Sequence, residues 1–196
     1  MTKVSLTDNK YLVGIGIISP LILFIDTHLL FYLCLFNCLL GIKYQKKFKI
    51  KDALNCVANF LKIVPIIYIL SIVSKFILPE FEEQSKVIEL KRNFSKDLLM
   101  NIINIIVIAP IIEETIFRAF FYRAFKHALP VSFSIIITSI TFATIHQNIL
   151  SFALLFFLSG YLTYVYERYG SIIFPIIIHC LFNSTMLFLI YLDSYV

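Results

Sequence analysis

Between Leu98 and Ile112 the chain carries no ionisable side chain, and the next six residues, EETIFR, bring Glu113, Glu114 and Arg118 together. That juxtaposition constrains the fold more than any other stretch. A charge near the centre of a bilayer costs on the order of 2.5 to 3.5 kcal/mol even on the lenient insertion scales. The three charged groups must therefore face other helices or a wet cavity, which makes this stretch the default functional site. On an α-helix Glu114 and Arg118 are i, i+4 neighbours and form a neutralised pair that makes burial tolerable. Glu113 points about 100° away around the axis and is left to find a partner on another helix. Pro110, just before the acids, removes the helical bond to the carbonyl of Ile106 and predicts a kink with a polar backbone group near the site. The bland alternative is a charge-pair staple in a helix bundle, because buried ion pairs also occur without chemistry.

That argument needs a membrane, and the composition supplies one. Of 196 residues 60% are hydrophobic and 15% charged, with a mean hydropathy of +0.89, well above the roughly 45 to 50% apolar content of a soluble domain. The expected fold class is all-α, a polytopic transmembrane helix bundle of six or seven spans, with residues 1–196 forming a single membrane-embedded domain. Localisation as an integral membrane protein follows, with the bacterial plasma membrane as the expected site. The net charge of +5 resides largely in loop lysines, most densely Lys43, Lys46, Lys47, Lys49 and Lys51, which the positive-inside rule explains. Nucleic acid is not implied, because no basic stripe interleaved with aromatics is present. Cys34, Cys38, Cys56 and Cys180 lack CxxC or Cys/His zinc spacing and read as small core residues.

Along the chain, residues 1–10 are polar, and the apolar stretch after them runs too far, without a small-residue cleavage site, to suggest a removable signal peptide. From Tyr11 to Ile42 the run is interrupted at Asp26, Thr27 and His28. It reads as a hairpin of two short helices or one long tilted helix, and the flanking lysines favour the hairpin. A span over Val57 to Leu78 carries Lys62 and Lys75, which can snorkel to opposite faces. Pro79 to Asp97 alternates acids and bases and reads as an interfacial helix or solvated connector. The acidic motif lies on Leu98 to about Lys126. Three further apolar runs follow, Ala128 to Ile145 ending in His146, Ile149 to Tyr166, and Tyr169 to Leu192. In a strict in-and-out reading His146 and Glu113 fall at opposite ends of their helices, so they meet only where helices are tilted or broken.

The last run contains His179 and Asn183, four residues apart and so on one face. A lone histidine in an apolar helix is more often a satisfied core residue than a catalyst. Here it belongs to a set drawn from three separate stretches. Glu113, His146, His179 and Asn183 together supply a base, a second base or ligand, and two groups suited to an oxyanion or a ligand, with Glu114 and Arg118 in a supporting role.

EETIFR (Glu113 to Arg118), FATIH (Phe142 to His146) and HCLFN (His179 to Asn183) resemble, in order and spacing, the EExxxR, FxxxH and HxxxN motifs of the CPBP family. That family comprises type II CAAX prenyl endopeptidases and bacteriocin-processing or bacteriocin-immunity proteins. The resemblance covers approximately 98–188 and implies an intramembrane endopeptidase acting on a membrane-embedded or lipidated peptide or protein substrate. It further implies that Glu113 and His146 activate a water while His179 and Asn183 hold the tetrahedral oxyanion. If such an enzyme is metal-dependent, Glu113, His146 and His179 are the ligand set, for zinc or another divalent metal. A non-catalytic immunity or membrane-binding protein of the same fold is the rival reading, and a transporter a third.

Overall fold

The structure is a computed structural model, which describes residues 49–81, 88 and 102–193. The predicted hairpin over 11–42 and nearly all of the charged connector lie outside the described residues. Within them every regular element is helical. Helix α1 is Ile50–Ile77. Helix α2 is one continuous helical segment over 102–128, built from the wide-turn π segment Asn104–Ile108, the α-helical Ala109–Glu114, a second π segment Thr115–Tyr122, and the α-helical Arg123–Ala128. Helices α3 (Val131–Ile145), α4 (Ile149–Tyr169) and α5 (Ile173–Asp193) complete the described fold.

Six or seven spans are expected from the sequence. Among the described residues, three helices are long and apolar enough to cross a membrane, Ile50–Ile77, Ile149–Tyr169 and Ile173–Leu192, and Val131–Ile145 is a shorter apolar helix. Helix α1 begins earlier than the apolar run predicts. Its first turns take in Lys51 and Asp52, and an acid there complements the helix dipole. On its outer side α1 exposes large apolar residues, with Phe76 86% exposed and Ile66 and Ile69 each 57%. In water such a face would be an aggregation liability, and in lipid it is ordinary.

The helices after α2 form a meander. Arg118 and Lys126 of α2 reach Ser159 and Glu167 of α4, so positions advance together and these helices run parallel. The partners between α2 and α5 move in opposite senses, 114 with 179 and 105 with 183, so α5 is antiparallel to α2. The core between them is aromatic and aliphatic. Phe117, Phe121, Phe142, Leu158, Leu162 and Ile178 are each at most 3% exposed, and Phe117 meets Phe142 edge to face at 4.9 Å between ring centroids, a favoured aromatic arrangement. Helix α1 joins this core through Cys56 and Phe60, the latter stacked at 6.2 Å on Tyr161 of α4.

Two local features place the site. Helix α3 has 15 residues, hence a length of about 22 Å, short of a hydrocarbon core of about 30 Å. The chain then reverses within Gln147 and Asn148. Gln147 takes a left-handed φ of 51°, uncommon for a residue with a Cβ. Asn148 caps α4 by accepting the Ser151 N–H at 2.8 Å, the usual service of an N-cap side chain. His146 therefore stands at the end of a short helix, the kind of break that a meeting with Glu113 calls for.

Candidate active site

The centre of the site is a carboxylate with no exposure. Glu114 and Arg118 are both 0% exposed, and Arg118 Nη1 donates to Glu114 Oε1 at 2.9 Å. The predicted i, i+4 pair is thus formed. Arg118 Nη2 donates to the Ser159 carbonyl at 3.0 Å and to its hydroxyl at 2.9 Å, which ties the pair to α4. The guanidinium also lies 5.0 Å from the centroid of the Phe142 ring, within cation–π range. A charge taken out of water needs compensation of this kind from several sides at once.

Glu114 does more than neutralise Arg118. Its Oε1 accepts from His179 Nδ1 at 2.7 Å, a bond that spans 65 residues and that helical spacing does not reveal. Because a carboxylate accepts, Nδ1 carries the hydrogen, and the ring is fixed in tautomer and orientation. His179 Nε2 then faces outward from the pair, 3.7 Å from Glu113 Oε2. That separation exceeds direct hydrogen-bond reach. Glu113, left free of Arg118 by helical geometry, has its neighbour on α5, and its side chain is 29% exposed where that of Glu114 is 0%. Glu114 Oε2 has no hydrogen-bond partner among the described residues, so one buried carboxylate oxygen keeps unused acceptor capacity.

Asn183 lies one turn beyond His179 and donates Nδ2–H to the Ile105 carbonyl at 2.8 Å. The reason is local to α2. In the wide turn the Ala109 N–H bonds the Asn104 carbonyl, five residues back. In that register the next donor would be residue 110, and proline has none. Pro110 therefore leaves the Ile105 carbonyl open, not the Ile106 carbonyl expected for a regular α-helix, and Asn183 fills it. The second N–H of the Asn183 amide is not used by this bond.

His146 Nδ1 is 2.7 Å from the Phe142 carbonyl. A carbonyl can only accept, so Nδ1 donates, and the neutral ring presents Nε2 as an acceptor. Phe142 links the two histidines, with ring centroids 4.7 Å from His146 and 6.1 Å from His179. The structure thus gathers Glu113, Glu114, Arg118, His179 and Asn183 at the α2–α5 face, and His146 shares with His179 a contact to the Phe142 ring. Among the described residues no three His, Cys, Asp or Glu side chains are grouped to hold a metal ion. The set Glu113, His146 and His179 is not grouped as ligands among the described residues.

Two contributors are not singled out by the sequence. Ser159 is an unremarked serine in an apolar run, and the Ile105 carbonyl belongs to a residue with no polar side chain. The combination of Pro110 with a π turn is the signal that would have found the last.

Residues 95–185 match the family model described as Rce1-like, type II CAAX prenyl endopeptidase Rce1-like. The matched segment, just under half of the chain, contains all three motifs. No curated protein and no solved structure matches the chain.

Proposed function

We propose, on the premise that residues 95–185 form an Rce1-like domain, that this protein is an intramembrane endopeptidase that hydrolyses a peptide bond of a prenylated or otherwise membrane-associated substrate. The observation that supports it most is the placement of Glu113 Oε2 3.7 Å from His179 Nε2, with His179 held from behind by Glu114 at 2.7 Å. Two polar atoms at this separation can both hydrogen-bond one water set beside them, and a purely structural ion pair has no need of one. Glu113 is the base. It takes a proton from water as the oxygen attacks the scissile carbonyl and returns it to the leaving amine as the C–N bond breaks. His146, with Nδ1 committed to the Phe142 carbonyl, is the second base that the motif resemblance assigns to this water.

The developing oxyanion falls to His179 and Asn183. His179 serves as a donor only with a proton on Nε2 as well as Nδ1, and the Glu114 carboxylate beside it is the counter-charge such a ring requires. Asn183 contributes its second amide N–H, the first being spent on Ile105. Preorganised donors in a dry site stabilise such charge without reorganising at the moment of reaction.

Cleavage of a prenylated CAAX peptide by purified protein, compared with Glu113→Gln, tests the reading. Glu113→Gln keeps the shape and loses the base, so turnover should fall by roughly 10² to 10⁴ with folding unchanged. Unchanged turnover in that variant sinks the mechanism. A wild-type protein that protects cells from a bacteriocin equally well as Glu113→Gln, and cleaves nothing, would instead be a binding protein.

A further inference from the structure

A second polar site lies away from the acids, where the start of α1 meets the end of α4. Lys49, Asp52, Asn55, Asn59 and Lys62 recur at three- and four-residue spacing, which puts them on one face of α1. With Arg168 and Tyr169 of α4 they line a groove of about 780 Å³. From Lys49 to Lys62 the stripe covers about 20 Å of helix, so it descends well into a segment that is otherwise long and apolar enough to span a membrane.

The electrostatics of the groove are lopsided. Three cations line it, and Asp52 is the acid among the lining residues. Lys62 Nζ is bonded to the Asn59 amide oxygen at 3.4 Å. Arg168 donates to the Tyr164 hydroxyl at 2.7 Å, and its guanidinium stands 6.0 and 5.9 Å from the Tyr164 and Tyr169 ring centroids. These partners are neutral. Among the described residues neither Lys62 nor Arg168 has a carboxylate at ion-pair distance, whereas Lys126 has Glu167 at 2.5 Å. Cations at a membrane face that outnumber the acids beside them attract anionic lipid headgroups.

We infer that this groove binds the phosphate headgroup of an anionic phospholipid. Basic pockets between membrane helices recognise such headgroups. Here Lys62 and Arg168 converge on the phosphate from two helices, and Asn55 and Asn59 supply amide donors to its remaining oxygens. The acyl chains have a place to lie. Beyond Lys62, α1 turns Ile66, Ile69 and Phe76 outward, so a lipid seated by its headgroup continues along an apolar surface. A soluble phosphate would use the polar half of the site and leave that surface unused.

The test is lipid titration of the full chain in neutral detergent, read by native mass spectrometry and by thermal unfolding, with phosphatidylglycerol, phosphatidylcholine and inorganic phosphate as separate probes. Phosphatidylglycerol should bind and raise the melting temperature where phosphatidylcholine and inorganic phosphate do not. Lys62→Gln and Arg168→Gln should each weaken its binding about fivefold, and the double variant about 25-fold. Lys51→Gln, off the groove, should leave binding nearly unchanged. Asp52→Asn should tighten it, a gain that a misfolded variant cannot give. Equal protection by phosphatidylcholine, full protection by inorganic phosphate, or equal losses for Lys51→Gln and Lys62→Gln would each overturn the assignment.

Discussion

Helices α2 and α4 are joined by side chains twice, and the two junctions obey different physics. Arg118 meets Ser159 in complete burial, with Glu114 and His179 attached. Two turns later in both helices Lys126 meets Glu167 at 2.5 Å with the side chains 40% and 34% exposed, and Tyr122 donates to the same carboxylate at 2.9 Å. Both are charge-assisted junctions between the same helices, but only the first is out of reach of solvent. Water competes for the outer pair and screens it, whereas the inner pair, once half removed, leaves a charge with nowhere to go. The same kind of bond is therefore a minor clamp at one level and a condition of folding at the other.

The sharpest way to break this comparison is Glu114→Ala. It strands Arg118 in the core, and stability should fall by roughly 3 to 5 kcal/mol, read as lost folded protein and a lower unfolding midpoint. A well-folded Glu114→Ala protein would show that the inner junction is as dispensable as the outer one. On the α5 side of the same network, Asn183→Ala separates catalysis from latching. Loss of an oxyanion donor should lower kcat by roughly 10² to 10³, whereas loss of an interhelical hydrogen bond alone should cost roughly 0.6 to 1.7 kcal/mol and leave turnover per folded molecule intact. Normal melting together with normal turnover would remove Asn183 from both roles.

Smaller effects refine the contrast. Ser159→Ala deletes one of the two α4 acceptors of Arg118 but leaves the carbonyl, so the expected loss is at or below the roughly 1.5 to 3 kcal/mol of a charged hydrogen bond. It should be insensitive to salt. Lys126→Ala should cost only about 0.2 to 1 kcal/mol, and the wild-type contribution should shrink further as salt is raised from low to high. Chemical denaturation of the wild type and these two variants at two ionic strengths checks the pair, and a salt-sensitive Ser159→Ala effect would contradict the assigned burial.

What the sequence makes legible here is what a straight helix can express. The Glu114–Arg118 pair follows from a spacing of four, the separation of Glu113 from it follows from one further residue, and the apolar runs after residue 130 mark α3, α4 and α5 to within a few positions. Contacts that join distant stretches are not written in periodicity. The bond from His179 to Glu114 needs the α2–α5 packing, and Ser159 becomes important only because Arg118 arrives beside it. The carbonyl freed by Pro110 was legible in kind but displaced by one residue, because a π turn changes which partner a missing N–H abandons. The position of His146 beside the Phe142 ring depends on the short α3 and the left-handed Gln147, which a count of apolar residues treats as one more span.

The wide turn before Pro110 gives the chain an unusual kind of grammar. Ile105 is completed by Asn183 because residue 110 is mute as a donor, so two positions 78 apart in the chain act as one word spelled across two helices. Replacing Pro110 with alanine would return a voice to the backbone: the new N–H would answer Ile105 itself, and Asn183 would lose the listener that holds its amide in place. The orientation of a side chain on α5 is in this sense dictated by an atom that α2 lacks.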